Sequence, residues 1–443
     1  MQTEARAAGP VPGFGVVPRG GTPAPLWAVQ ALAFLGSMGT GVVTNGVFFL
    51  SKHACGFSEG ENFALGLLMG VTYIAGATAV GPALRRIAAR SSAVSTRGVL
   101  VSLSLLMGLT AFVPPLAAWW TGDAARVGWS MWLVVGLYSP MSGAFWPLIE
   151  SYLSGGRSGA GLRRAIGQFN IVWAFAVLAS LWAMSPLVRE YPLVILVGFG
   201  VVQLLSAAAA WPLGSEPGAH LPELHQPHPA VYVPLLTTFR LLLPTSYYVV
   251  SVWSPYVPTL LDRLGVGGAW QTGVAATWML TRFGVFVAME RWHGWHGRWW
   301  AVIVGAGAVV GGIALALVAP SVRGGGAVAV VVAGLAVLGV GMGVIYAAAL
   351  YYAMELGKGE VEAGGAHEAL IGVGFAGGPA TGLLATGLVE WGLIAEGKLN
   401  LIILGTLSAS LSVIGILVAR RVWLSARAAG IVPGAPERAA DEL

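Results

Sequence analysis

Twelve separate apolar runs, each long enough to cross a bilayer as a helix, leave this chain few architectures. A hydrocarbon core of about 30 Å asks for about 20 apolar residues of helix. Such runs occupy residues 27–50, 62–84, 98–120, 129–153, 165–187, 192–213, 231–259, 268–290, 299–319, 326–354, 367–392 and 399–419. They are continuously apolar rather than alternating, which selects helices over the strands of a membrane barrel. Composition agrees: 56% of the 443 residues are hydrophobic and only 10% are charged, against about a quarter charged in a soluble domain. So few charges cannot clothe a surface in water. The expected fold class is an all-α integral membrane protein with twelve transmembrane helices.

The segments outside the runs set the organisation. Residues 1–26 are rich in Pro and Gly and contain no apolar core before a cleavage site, so they read as a flexible tail rather than a signal peptide. Residues 421–443 form a second tail. The longest polar interruption between runs, GSEPGAHLPELHQPHP, lies in the linker 214–229 and separates a six-helix half at 27–213 from another at 230–420.

Charge then orients the chain. With the N-terminus in the cytoplasm, that side holds sixteen Lys and Arg, among them Arg85, Arg86, Arg90, Arg163, Arg164, Arg420 and Arg421. The other side holds six: Lys52, Arg126, Arg189, Arg263, Arg323 and Lys398. The positive-inside rule places both termini and the 214–229 linker in the cytoplasm, and the near-exclusive use of Arg, with Lys only at 52, 358 and 398, suggests a GC-rich bacterial genome and hence an inner-membrane location. The basic residues are scattered at run ends rather than gathered in a patch, so the net charge of +5 is no nucleic-acid signal. Cys55, the single cysteine, excludes an intrachain disulfide and a multi-cysteine metal site.

The two halves echo each other. Sliding the first by 205 residues brings Glu150 onto Glu355, Gly136 onto Gly341, Ala144 onto Ala349, Ile166 onto Ile371 and Gly167 onto Gly372. In each half an acid ends the fourth span, a Gly-rich turn follows, and the fifth span opens near an Ile-Gly pair. Two related halves packed around a midplane site are a known membrane arrangement.

With this six-plus-six plan, the basic turn GPALRRIAAR after span two, and the blocks WPLIESYL…AIGQFNIVW and YYAMEL…HEALIGVGFAGGPATG, the chain resembles the major facilitator superfamily of transporters. The resemblance runs from about Trp27 to Val422. It implies a cavity between the halves, lined in part by span seven. Two departures stand out. The turn after span two keeps Gly81, Arg85, Arg86 and Arg90 but lacks the family's acid. Span five lacks the Gly-Pro-Gly signature of drug/proton antiporters, and a GGPATG occurs in span eleven instead, where it reads as packing and bending.

Arg240 and Arg282 lie inside spans seven and eight, roughly 12–14 Å from the cytoplasmic ends. An arginine there costs roughly 2.5–3.5 kcal/mol. Either the two bind an anionic group of the cargo, or they pair with Glu290, carbonyls or water and hold the helices. No acid is expected at their depth. Glu150 and Glu355 read either as cytoplasmic gate residues, closing against Arg163 or Arg164, or as acids at the headgroup boundary. Gln168 and Asn170 in span five, with Trp173, face either neighbouring helices or the cavity. Asn45, Thr40 and Thr44 in span one, and Tyr247, Tyr248 and Ser251 in span seven, are candidate hydrogen-bonding partners for a cargo; for the threonines and Ser251 the alternative is a bond to their own helix backbone. His367 and Glu368 read as helix-start residues. The histidine sets His220, His225, His228 and His293, His296 lack metal-site spacing, and no metal is expected.

The sequence thus predicts a monomeric secondary transporter that moves a small solute, with an anion as the candidate cargo, by alternating access. No Gly-x4-Gly-Lys-Ser/Thr loop is present, so an ion gradient (H⁺ or Na⁺) or the cargo's own gradient would drive it, with no cofactor. A polytopic enzyme acting on lipid-linked substrates and a non-transporting sensor on a transporter scaffold are the alternatives.

Overall fold

The computed structural model describes residues 22–91, 93–219, 229–322, 326–356, 361–395 and 398–428. Twelve helices in it are long and apolar enough to cross a membrane: Leu26–Asn45, Glu59–Ile87, Thr96–Thr121, Ala124–Ser154, Gly159–Met184, Pro192–Ala209, Tyr232–Arg263, Gly268–Arg291, Trp300–Ser321, Gly326–Ala353, Gly364–Glu390 and Leu399–Leu424. They are called spans one to twelve below. Among the described residues there is no strand. The N-terminal tail to residue 21, His220, His225, His228, Arg323, Lys358 and the C-terminal segment from residue 429 lie outside the described residues.

Helix pairing repeats between the halves. Span two packs on span four, and span eight on span ten; span one packs on span five, and span seven on span eleven. The halves meet through spans two and eleven and through spans five and eight. These two contacts exchange under the same half-for-half substitution, so the echo seen in sequence is also an echo in packing. Missing side chains permit the closest approaches. A Cβ on Gly70 of span two would lie 2.2 Å from the backbone nitrogen of Ala376 in span eleven, so only glycine lets these helices touch. In GGPATG, a Cβ on Gly378 would sit 2.6 Å from the Tyr248 carbonyl oxygen of span seven.

Span one is not a uniform helix. Thr40–Asn45 forms a π-helical stretch between Leu26–Gly39 and Val47–Cys55. The wider turn is stabilised locally by Asn45, whose Nδ2 donates to the Thr40 carbonyl at 2.9 Å. Such bulges turn side chains that a regular helix would aim elsewhere. Span eight is also broken: Gly268–Ala275 and Thr277–Arg291 join at Ala276.

On the face that begins spans two, six and eight, the halves are tied by polar contacts. Lys52 Nζ lies 2.5 Å from Asp262 Oδ2 and donates to Thr259 Oγ1 at 3.1 Å. Arg263 Nη2 donates to Glu59 Oε1 at 2.7 Å. His53 Nε2 is 3.0 Å from Gln271 Oε1, and Gln271 Nε2 donates to Asp262 at 2.5 Å. Thr272 Oγ1 donates to the Leu181 carbonyl at 2.8 Å, and the Gly273 N–H to Ser185 Oγ at 3.1 Å. Toward the opposite face, Glu290 of span eight presses on Gly167 of span five, where an added Cβ would lie 1.6 Å from its carboxyl. Gly365 of span eleven lies against the Ala77 carbonyl of span two.

Candidate functional site

Between the halves runs a narrow cavity with about 810 Å³ of empty space, bounded by spans one, two, four, five, seven, eight, ten and eleven. Aromatic side chains at mid-span supply most of its wall, including Tyr73, Trp146, Phe169, Trp173, Tyr247 and Tyr346. Trp173 of span five and Tyr346 of span ten stack across the boundary, 6.0 Å between centres and 6° from parallel.

Arg282 stands at this stack. It is completely buried. Its guanidinium carbon lies 4.6 Å from the centre of Trp173 and 4.7 Å from Tyr346, with Phe286, Tyr247 and Trp278 between 5.3 and 5.9 Å. A cation over desolvated rings gains about 2 kcal/mol or more, so this cage offsets much of the roughly 2.5–3.5 kcal/mol that the arginine costs at the centre of a span. Hydrogen bonding is left incomplete. Nη2 donates to Tyr247 Oη at 3.1 Å, while Nε and Nη1 have no partner among the described residues. Unpaired buried donors are rare and costly. Among the described residues Arg282 makes no ion pair, with Glu290 or any other acid.

Acids do occupy the same chamber, contrary to the expectation of none at this depth. Glu150 and Glu368 both line it and face each other across the boundary between the halves. Span four continues to Ser154, so Glu150 lies within the helix rather than at its end. The helix of span eleven begins at Val361, so Glu368 lies past the first turn that was expected to hold it. A hydrophobic run ends at its first charge, but a helix need not. Tyr73 of span two donates its hydroxyl to Glu368, joining the halves a second time. Tyr247, which accepts from Arg282, lines the same chamber as Glu368.

The other anticipated residues are dispersed. Asn45, Thr40 and Thr44 face the cavity from the π-helical stretch, and Tyr247 and Ser251 face it from span seven. Ser251 Oγ has no partner among the described residues, so its expected bond to its own helix backbone is not made. Arg240 is exposed and lines no part of the chamber, contrary to the expectation that it joins Arg282 in binding an anionic group of the cargo. Gln168 is occupied as the acceptor of Gln30 Nε2 at 3.0 Å, tying span five to span one. Asn170 lines a second recess with Arg163, Glu290 and His296. Tyr248 points outward, its hydroxyl 2.8 Å from Thr381 Oγ1. Glu150 faces Glu368 across the cavity, while Arg163, its expected gate partner, lines the second recess with Glu290. Glu355 is in the last turn of Gly326–Leu356, and its side chain lies outside the described residues. Outside the spans, His296 stacks on Tyr351 at 4.1 Å, and burial pushes its pKa down to about 4.

Sequence reading missed Tyr73, Tyr346, Trp146 and Trp278. Their signal was present as large aromatics at mid-span, far from the headgroup layer where such residues usually collect.

No protein family matches the chain in sequence, and no curated protein does so. Solved structures do match its shape. A nucleoside transporter, NupG, is similar over 90% of this chain and 98% of its own, with a TM-score of 0.59 and 12% identity. A bacterial homolog of the human lysosomal transporter Spinster, in an inward-facing and unoccupied conformation, is similar over 91% of this chain and 96% of its own, with a TM-score of 0.58 and 15% identity. The chain therefore has the fold of the major facilitator transporters, as its sequence pattern implied.

Proposed function

We propose that this chain, built on the major facilitator fold, is a secondary transporter whose cargo is a small organic anion with a flat or apolar body. One observation carries the reading: Arg282 holds Nε and Nη1 unbonded inside a chamber shared by the two halves. A carboxylate or phosphate oxygen is the complement of those donors, and a guanidinium can engage it with two parallel bonds. The aromatic walls suit a flat body beside the charged group. A membrane enzyme or a sensor gives no reason for a site walled by both halves, whereas alternating access requires one.

The cluster Tyr73–Glu368–Glu150 is the proposed site of the coupling ion, with a proton as the ion. Two facing carboxyl groups in a low-dielectric wall repel strongly when both are charged, and a proton between them removes the repulsion. When the acids hold a proton, the chamber they share with Arg282 carries less negative charge, and the cargo anion can enter beside the arginine.

The test is uptake into proteoliposomes of a panel of aryl carboxylates and aryl phosphates, each with and without an inward proton gradient. The reading predicts that the gradient accelerates accumulation, that Glu368→Gln still exchanges cargo but no longer responds to the gradient, and that Arg282→Gln abolishes uptake. Uptake by the Arg282→Gln variant at the wild-type rate would refute the anion site. A planar neutral solute such as a nucleoside belongs in the same panel, because the neighbour NupG is a nucleoside transporter. Preference for it would refute the anionic cargo while leaving the transporter reading intact.

A further inference from the structure

A recess with about 1230 Å³ of empty space opens sideways between spans seven, eleven and twelve. Span twelve is only 11% buried over its apolar window, so this flank of the molecule faces lipid. The walls are apolar, with Leu241 and Pro244 on one side, Val373 on the floor, and Ile414 and Leu417 opposite. Gly374 and Gly377 also line it, and Gly374 lets spans seven and eleven pack closely there. Arg420 and Arg421 stand at one end, both exposed, and no acid among the described residues lines the recess. Arg240, the residue before Leu241, is exposed as well.

Arg420 and Arg421 stand near the end of the apolar span Leu399–Leu424, on the face where span seven begins and at the level of the lipid headgroups. Arg240 lies eight residues into Tyr232–Arg263 from that same face, and an exposed guanidinium inside a span reaches toward the headgroups or takes an anion. A dissolved anion does not reach a lipid-facing groove. A phospholipid enters it laterally, bringing a phosphate and an apolar chain together.

We propose that this groove binds one anionic phospholipid from the leaflet on that face. Arg420 and Arg421 hold the phosphate, Arg240 adds positive potential beside it, and one acyl chain lies along Val373, Gly374, Gly377 and Ile414. Basic recesses between membrane helices are suited to anionic headgroups in this way. The lipid would also brace span seven against span eleven, because Tyr248 lines the groove while bonded to Thr381, one residue along from the Tyr247 that contacts Arg282.

The test is native mass spectrometry of the full chain in detergent, titrated with phosphatidylglycerol, phosphatidylcholine or glycerol phosphate. One phosphatidylglycerol should be retained in preference to phosphatidylcholine. Arg420→Gln with Arg421→Gln should weaken it by about 30-fold, at roughly fivefold per arginine. Val373→Trp, which fills the floor of the groove, should weaken it with both arginines present. The altered side chains are exposed, and thermal unfolding verifies that each variant is folded. Equal retention of the two lipids, or full retention by the double arginine variant, would overturn the proposal. Competition by glycerol phosphate at equal concentration would overturn it too, since the site would then bind free phosphate rather than a lipid.

Discussion

The guanidinium carbon of Arg282, on span eight, lies 4.6 Å from the ring centre of Trp173, on span five, so the buried charge of one half rests on an aromatic face supplied by the other. This arrangement tolerates the arginine without satisfying it. An unpaired charge in the middle of a span costs roughly 2.5–3.5 kcal/mol, and two of its nitrogens lack partners. Arg282→Met should therefore leave the cargo-free protein as stable as wild type or more stable, while removing its response to cargo. Strained binding sites commonly trade stability for function in this way. Thermal unfolding in detergent measures it. A fall in stability of several degrees would mean that the arginine holds the helices together rather than waiting for an anion.

The Lys52–Asp262 pair closes the face on which both residues lie. Their side chains are 20% and 38% exposed, so the pair is partly solvated and contributes about 0.5–1 kcal/mol to closure. Lys52→Met or Asp262→Asn should raise the population open on that face by about twofold to fivefold. The readout is the reaction rate of a cysteine introduced at Ser254, which lines the cavity, in a Cys55→Ser background. An unchanged rate in both variants would remove the pair from the gate.

Acid should loosen the same closure. Burial holds the His53 pKa below its ordinary value of 6.5; Lys52 and Arg189 push it the same way, and the Gln271 hydrogen bond and Asp262 push against them. The closed form thus favours the neutral ring, and any form that solvates the ring binds the proton more readily. Closure is at full strength above pH 6.5 and weakens as the pH falls through that value toward the lower closed-state pKa. Access to the cysteine at position 254 should rise over that interval, and His53→Gln should flatten the dependence. Tighter closure on acidification would contradict the assignment.

Cys55 should be a slow thiol. Burial pushes its pKa up to about 11 from 9.0. The reactive thiolate is therefore about 100-fold scarcer than in a solvated cysteine at neutral pH. An impermeant maleimide applied to intact spheroplasts should label Cys55 poorly. The same reagent should label a cysteine at Glu190, an exposed position on the same face, in a Cys55→Ser background. Labelling of that site only after lysis would reverse the proposed orientation, in which both termini and the linker face the cytoplasm.

The spans were legible because bilayer thickness fixes how long an apolar run must be, whatever the residues do. Side-chain direction was much less legible. A soluble helix shows its buried face by periodicity, but a membrane helix is apolar toward both lipid and protein. Arg240 and Arg282 consequently looked alike in sequence, and only packing separates the exposed arginine from the caged one. Glu150 and Glu368 were misplaced for a related reason. Each marks the edge of a hydrophobic run, yet its helix continues past it into a wall where another acid shares the burden. The π-helical stretch at Thr40–Asn45 carries no Pro to announce it, and it turns Asn45 toward the cavity through a local bond that sequence does not reveal.

The most direct test of the account compares charged and neutral ligands on one pair of proteins. Wild type and Arg282→Gln would each be titrated, by thermal shift and calorimetry, with a panel of aryl carboxylates and aryl phosphates and with their methyl esters and parent alcohols. The account predicts at least one anion that stabilises wild type, binds about tenfold or more tighter than its neutral counterpart, and loses that preference in Arg282→Gln, as expected for a charge-assisted bond of about 1.5–3 kcal/mol. An anion preference that survives intact in Arg282→Gln, or a neutral counterpart that binds wild type as tightly as the anion, would contradict it.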